Sequence, residues 1–197
     1  KLCGGNISGK KLAVLGLTDP TDGDWSRLRG LQYSSLAKGS SARVAAHSVA
    51  AIATALLLFG HASSVVIGAW LVALAGTLFH AAHCDRMLAD ADRRSLSRDE
   101  ANRHMINSIV NALVWVVPLT ISNKFVGPKT RLELWSVVAM LMTASASVLP
   151  AVPMSTVLFS CIVGGAAVAN FAFNGAFEMA GIGLAFQVVD DILDVTQ

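Results

Sequence analysis

The sequence predicts an all-α protein, and three observations carry that prediction. Apolar residues recur at helical spacing along most of the chain, and no window shows the alternation of a half-buried strand. Helix-stopping and helix-starting residues fall at regular intervals: Gly39 with Ser40 and Ser41, Gly60, Ser97 with Glu100, Pro128, and Pro150 with Pro153. Apolar residues make up 54% of the 197 positions and charged residues only 14%, enough for one domain with a large core.

The elements follow in order. Residues 1–23 are Gly-rich and irregular. Their GGNISGKK is a near match to the phosphate loop G-x-x-x-x-G-K-[ST], but Lys11 stands where the hydroxyl belongs and no strand precedes it. Asp19-Pro20-Thr21-Asp22-Gly23 reads as a turn. A first helix is expected from about residue 24 to 37. Gly39, Ser40 and Ser41 open a second, to about Leu58, and Gly60 breaks it. Ser63 or Ser64 starts a long third helix, to about Ala91. SRDE at 97–100 is a capping box, Ser97 with Glu100, that opens a fourth. Pro118 is expected to bend or end it. Pro128 introduces a fifth helix, a sixth covers about 155–170, and a last one carries a run of aspartates. Residues 24–197 thus form one helical bundle.

Composition narrows the function classes. A net charge of +2, with no basic stripe bearing interleaved aromatics, points away from nucleic acid. Cys3, Cys84 and Cys161 lie far apart, as expected of a reducing compartment rather than a disulfide framework. The chain opens on Lys1 rather than Met, which is read as a processed or partial product, and no signal-peptide pattern opens it. Residues 44–84 and 134–177 contain no Asp, Glu, Lys or Arg. Each run is long enough for two membrane helices, yet both are rich in Ala and Gly and carry His47, His61, His80, Asn170 and Asn174. A helix buried in a bundle is also apolar all round. Cover by partner chains or by lipid is expected for these runs. Trp25, Trp70, Trp115 and Trp135 read as core or interface, with Trp70 and Trp135 as candidate contact anchors.

The stretch FQVVDDILD, residues 186–194, carries the sharpest chemical signal. Gln187, Asp190, Asp191 and Asp194 stand at i, i+3, i+4 and i+7, on one helix face. Carboxylates so placed repel by about 0.2–0.5 kcal/mol per pair on an exposed helix. A divalent cation bridging to a phosphate reverses that cost, because Mg²⁺ prefers hard oxygen ligands. The alternative is the solvated face of an amphipathic helix.

The ending GIGLAFQVVDDILDVTQ resembles the second aspartate-rich motif of the trans-isoprenyl (polyprenyl) diphosphate synthases, GxxFQxxDDxxD. The resemblance implies an isoprenoid-synthase-type helical bundle, with the C-terminal part of that fold absent. It implies two aspartate motifs facing each other across a pocket and holding Mg²⁺ on an allylic diphosphate, so that Asp85 lies across a cavity from Asp190. HCDRMLADADRRS, residues 83–95, is similar to the first motif, HDDxxD followed by RRG. Asp85 takes the place of its second aspartate, and Arg93 and Arg94 that of the arginine pair. Cys84 and Leu88 replace the other two aspartates, while Asp90 and Asp92 fall off register. KGSSARV, residues 38–44, is similar to GGKRLRP: Arg43 matches an isopentenyl-diphosphate arginine and Ser40 replaces a lysine. In PMSTVLFSCIVGGAAVA, residues 153–169, Met154 replaces a phosphate-binding lysine.

What the resemblance implies is therefore uneven. Asp190, Asp191, Asp194 and Asp85 are the metal candidates, and Arg43, Arg93, Arg94 and Gln187 the substrate candidates. Neither a thiol nor an isobutyl group supplies the oxygen ligands that a Mg²⁺–diphosphate clamp needs. The expectation is a non-catalytic synthase-like subunit, paired with a homologous synthase subunit or built into a larger, mitochondrial assembly, with membrane contact as a further option. Two rivals stay open: an active prenyltransferase with unusual ligands, and an integral membrane subunit or membrane prenyltransferase. For Asp85 with Arg93 and Arg94, a solvated helix end with weak local ion pairs is the plainer alternative. His80 and His83 read as partly buried structural histidines and Cys84 as inert, with no base partner in view.

Overall fold

A computed structural model of the chain describes residues 25–88, 98–147 and 154–173. These residues form six helices and no strand, so the all-α class holds among them. They are α1 (Trp25–Lys38), α2 (Ser40–Leu58), α3 (Ser64–Met87), α4 (Arg98–Phe125), α5 (Pro128–Ser147) and α6 (Met154–Phe173). The expected helix with Asp190, Asp191 and Asp194 lies outside the described residues, as do the GGNISGKK stretch and Arg93 with Arg94.

The stops act much as the sequence suggests. Gly60 takes a positive φ of 81°, which only glycine adopts without strain, and turns the chain from α2 into α3. Gly39 occupies the start of α2 without a side-chain cap. The expected third helix is shorter than its expected end at Ala91, closing at Met87 with Leu88 as its C-cap. The bundle packs α4 chiefly on α6, α2 on α5, and α3 on α4.

Pro118 neither ends α4 nor leaves a broken backbone. A proline inside a helix removes the N–H that the carbonyl four residues earlier would accept. That carbonyl belongs to Val114, and the Trp70 Nε1–H of α3 donates to it at 2.9 Å. A side chain from a neighbouring helix thus supplies the hydrogen bond that the proline deletes. Replacing Trp70 by Phe is expected to cost about 1–3 kcal/mol, because a buried acceptor loses its donor. Pro118→Ala restores the backbone N–H, so Trp70→Phe is expected to cost markedly less in that background. Equal costs in the two backgrounds, by denaturant unfolding, would show that the indole does not repair the helix.

The core centres on Trp115, which is fully buried. Trp70 meets its ring edge to face at 5.5 Å, and the Trp115 Nε1–H donates to His47 Nδ1 at 2.9 Å. Phe159 of α6 closes on the other side of His47, with ring centroids 5.5 Å apart. Trp70 is 5% exposed and belongs to this core, so its expected role as a surface contact anchor is corrected. An indole whose N–H finds a buried carbonyl gains more inside than outside. Trp135 packs edge to face on Phe171.

Candidate functional site

Asp85 sits in the last turn of α3, where a carboxylate faces the negative end of the helix dipole. It is nevertheless 3% exposed. Burying an ionised carboxylate requires a cation and hydrogen bonds, and α2 provides both from its first turn. The Ser40 Oγ–H donates to Asp85 Oδ2 at 2.6 Å, and Arg43 Nη2 forms an ion pair with the same oxygen. His104 of α4 brings Nδ1 to 4.0 Å from the other carboxylate oxygen. Tyr33 of α1 stacks edge-on against His104, 5.4 Å between centroids, and its hydroxyl reaches the Ala101 carbonyl. Helices α2 and α4 therefore meet the carboxylate of α3, and α1 backs the His104 ring behind them.

Beside this cluster lies a cavity of about 80 Å³. Asn107, Ser108 and Asn111 of α4 line one wall, and Ser155, Thr156 and Phe159 of α6 another. Thr77 of α3 donates to the Asn111 side-chain oxygen at 3.2 Å. The volume suits a few water molecules and falls below the roughly 300–1,000 Å³ of ordinary ligand pockets.

Two of the sequence candidates, Asp85 and Arg43, are brought together across 42 residues of chain. A solvated helix end, the plainer alternative for Asp85, is corrected by its burial. Gln187, Asp190, Asp191, Asp194, Arg93 and Arg94 all lie outside the described residues, and so does the expected facing of Asp85 and Asp190. Leu88, which the motif resemblance sets against a ligand aspartate, is 3% exposed and packs in a small core with Tyr33, Ala101 and Ala37. His80 and His83 are exposed rather than partly buried. Cys84 has a neighbour after all, with His80 Nε2 3.6 Å from its sulfur one turn earlier.

Sequence reasoning did not find His104, Asn107, Ser108 and Asn111. A signal was present, since 104, 107, 108 and 111 are the i, i+3, i+4 and i+7 positions of one face in a stretch that is apolar elsewhere from Met105 to Leu119.

The donor set on this side does not fit Mg²⁺. The cation needs near-octahedral oxygen coordination, usually from one or two free carboxylates plus phosphate and water. Asp85 is the single carboxylate among the described residues that line the cavity, and its Oδ2 is already taken by a guanidinium and a hydroxyl. Among the described residues no group of three His, Cys, Asp or Glu side chains is arranged to hold a metal ion.

Comparison with protein-family models, with curated proteins and with solved structures gives no match.

Proposed function

We propose that the chain is a non-catalytic, polyprenyl-diphosphate-synthase-like subunit that acts through assembly with other chains rather than through its own chemistry. The motif resemblance at residues 181–197 supports the ancestry. The observation that carries the non-catalytic reading is the buried pairing of Asp85 with Arg43 and Ser40. In the resemblance these two residues serve opposite purposes, one holding Mg²⁺ and the other a diphosphate. Here each neutralises the other, which leaves neither free for a metal or an anion. Leu88 adds to this. An aspartate at that buried position would carry a desolvation cost of several kcal/mol, so the first motif is not one substitution away from function.

The test is direct. Purified chain, incubated with labelled isopentenyl diphosphate, an allylic diphosphate primer and Mg²⁺, is expected to yield no labelled prenyl product above a protein-free control. Primer-dependent and Mg²⁺-dependent product at the rate of an ordinary prenyltransferase would favour the active-enzyme reading instead.

A further inference from the structure

The described charges are not scattered over the bundle. Ser155 and Thr156 of α6 line the same cavity as Arg43, Asp85 and His104, so the starts of α2, α4 and α6 and the close of α3 share one end. Arg43 of α2 and Asp85 and Arg86 of α3 lie at this end, and α1, which carries Arg27, Arg29 and Lys38, is tied to α4 there by Tyr33. So do Arg98, Asp99, Glu100 and Arg103 of α4. The remaining described charges, Lys124, Lys129, Arg131 and Glu133, flank the turn between α4 and α5 at the opposite end. Between the two ends α2, α3, α4, α5 and α6 carry none among the described residues. At 1.5 Å rise per residue, the stretch from Arg103 to Lys124 is about 31 Å, and that from Ser64 to Asp85 about the same. The hydrocarbon core of a bilayer is about 30 Å thick.

The surface of this slab is apolar on several sides at once. On α2 the outward stripe is Val49, Ile52 and Leu56, and on α3 it is Val65, Val72 and Phe79, each more than 60% exposed. On α4 it continues through Ile106 and Leu113, 60% and 55% exposed. Helices α2, α3, α4 and α6 are each long and apolar enough to cross a membrane. Met140 of α5, which packs on α2, adds a fourth exposed apolar helix surface, and acyl chains cover four helices of one thickness without a separate interface for each. The exposed hydroxyls of the slab are compatible with such a cover. Ser48, Thr120, Ser136 and Thr143 are exposed within the slab, and each donates to a carbonyl of its own helix at 2.8–3.0 Å. In hydrocarbon a polar group has no water to turn to and must be satisfied within the protein.

We infer that the bundle spans a lipid bilayer, with acyl chains covering the outward stripes of α2, α3 and α4 and the charged ends lying in the two interfaces. This goes beyond the proposed function and does not rest on it, since the charge-free slab and its exposed stripes are independent of the motif resemblance. Cys161 provides the probe, since it is exposed on α6 within the charge-free slab.

The full chain, carrying Cys3→Ser and Cys84→Ser, is reconstituted into phosphatidylcholine vesicles. The vesicles are treated with alkaline carbonate, floated, and reacted with N-ethylmaleimide, which crosses bilayers but needs a thiolate in water. The chain is expected to float with the lipid after carbonate. Cys161 is expected to react at least tenfold more slowly in vesicles than after solubilisation in denaturing detergent. A second variant that adds His61→Cys, in the exposed turn after α2, is expected to react readily at that position in both states, which separates lipid cover from general unreactivity. Release of the chain by carbonate overturns the inference, and release with Cys161 still protected assigns the cover to protein instead. Equal labelling of Cys161 in vesicles and detergent overturns it as well.

Discussion

Replacing Trp115 with alanine is expected to destabilise the bundle by about 3–5 kcal/mol, the range for truncating a large buried aromatic. The ring is fully buried at the meeting of α2, α3, α4 and α6. Three losses coincide there. The edge-to-face contact with Trp70 disappears. His47 Nδ1 keeps its burial and loses its donor. A cavity opens that the neighbouring Leu74 and Val163 are already too tightly placed to fill, both being almost fully buried. Trp115→Phe separates these contributions. It retains most of the volume and removes only the N–H, so its cost is expected near the 1–3 kcal/mol of an orphaned buried acceptor. The check is the unfolding free energy of the three proteins in one detergent. A Trp115→Ala protein within about 1 kcal/mol of the parent would mean that this ring is not the centre of the core.

Much of the fold was legible because its punctuation is local. Gly60 and Pro128 act through their own backbone restrictions, and no tertiary contact is needed to read them. Pro118 shows the limit of that reasoning. The sequence shows a helix breaker, and only the placement of α3 reveals that Trp70 provides the missing donor. The same limit applies to the site. Asp85 and Arg43 were each identifiable through a motif resemblance, but their pairing is a long-range fact, 42 residues apart, which no spacing rule encodes. Exposure is equally non-local: Trp70 and Val72 sit two residues apart in the same apolar run, yet one is core and the other faces outward. The chemistry of Asp190, Asp191 and Asp194 rests on the sequence alone.

Breaking the Asp85–Arg43 pair is the other large effect expected. Asp85→Leu leaves a guanidinium whose side chain is only 17% exposed, with no other carboxylate paired to it among the described residues and only the neutral polar groups of the cavity nearby. Removing one partner of a buried pair typically costs 3–5 kcal/mol, and Arg43 retains enough exposure to place this change near 3 kcal/mol. Arg43→Met strands the more deeply buried carboxylate and is expected to cost at least as much. Replacing both together removes the stranded charges, and apolar substitution of a whole buried pair is often neutral or stabilising. The double-mutant cycle built from Asp85→Leu and Arg43→Met is therefore the measurement that bears most directly on the claim that these two residues serve each other rather than a metal and a diphosphate. The expected result is a double variant more stable than either single variant, with the two residues strongly coupled. Additive costs, the double variant losing the sum of the two single losses, would contradict it and return Asp85 and Arg43 to the list of groups free to bind a ligand.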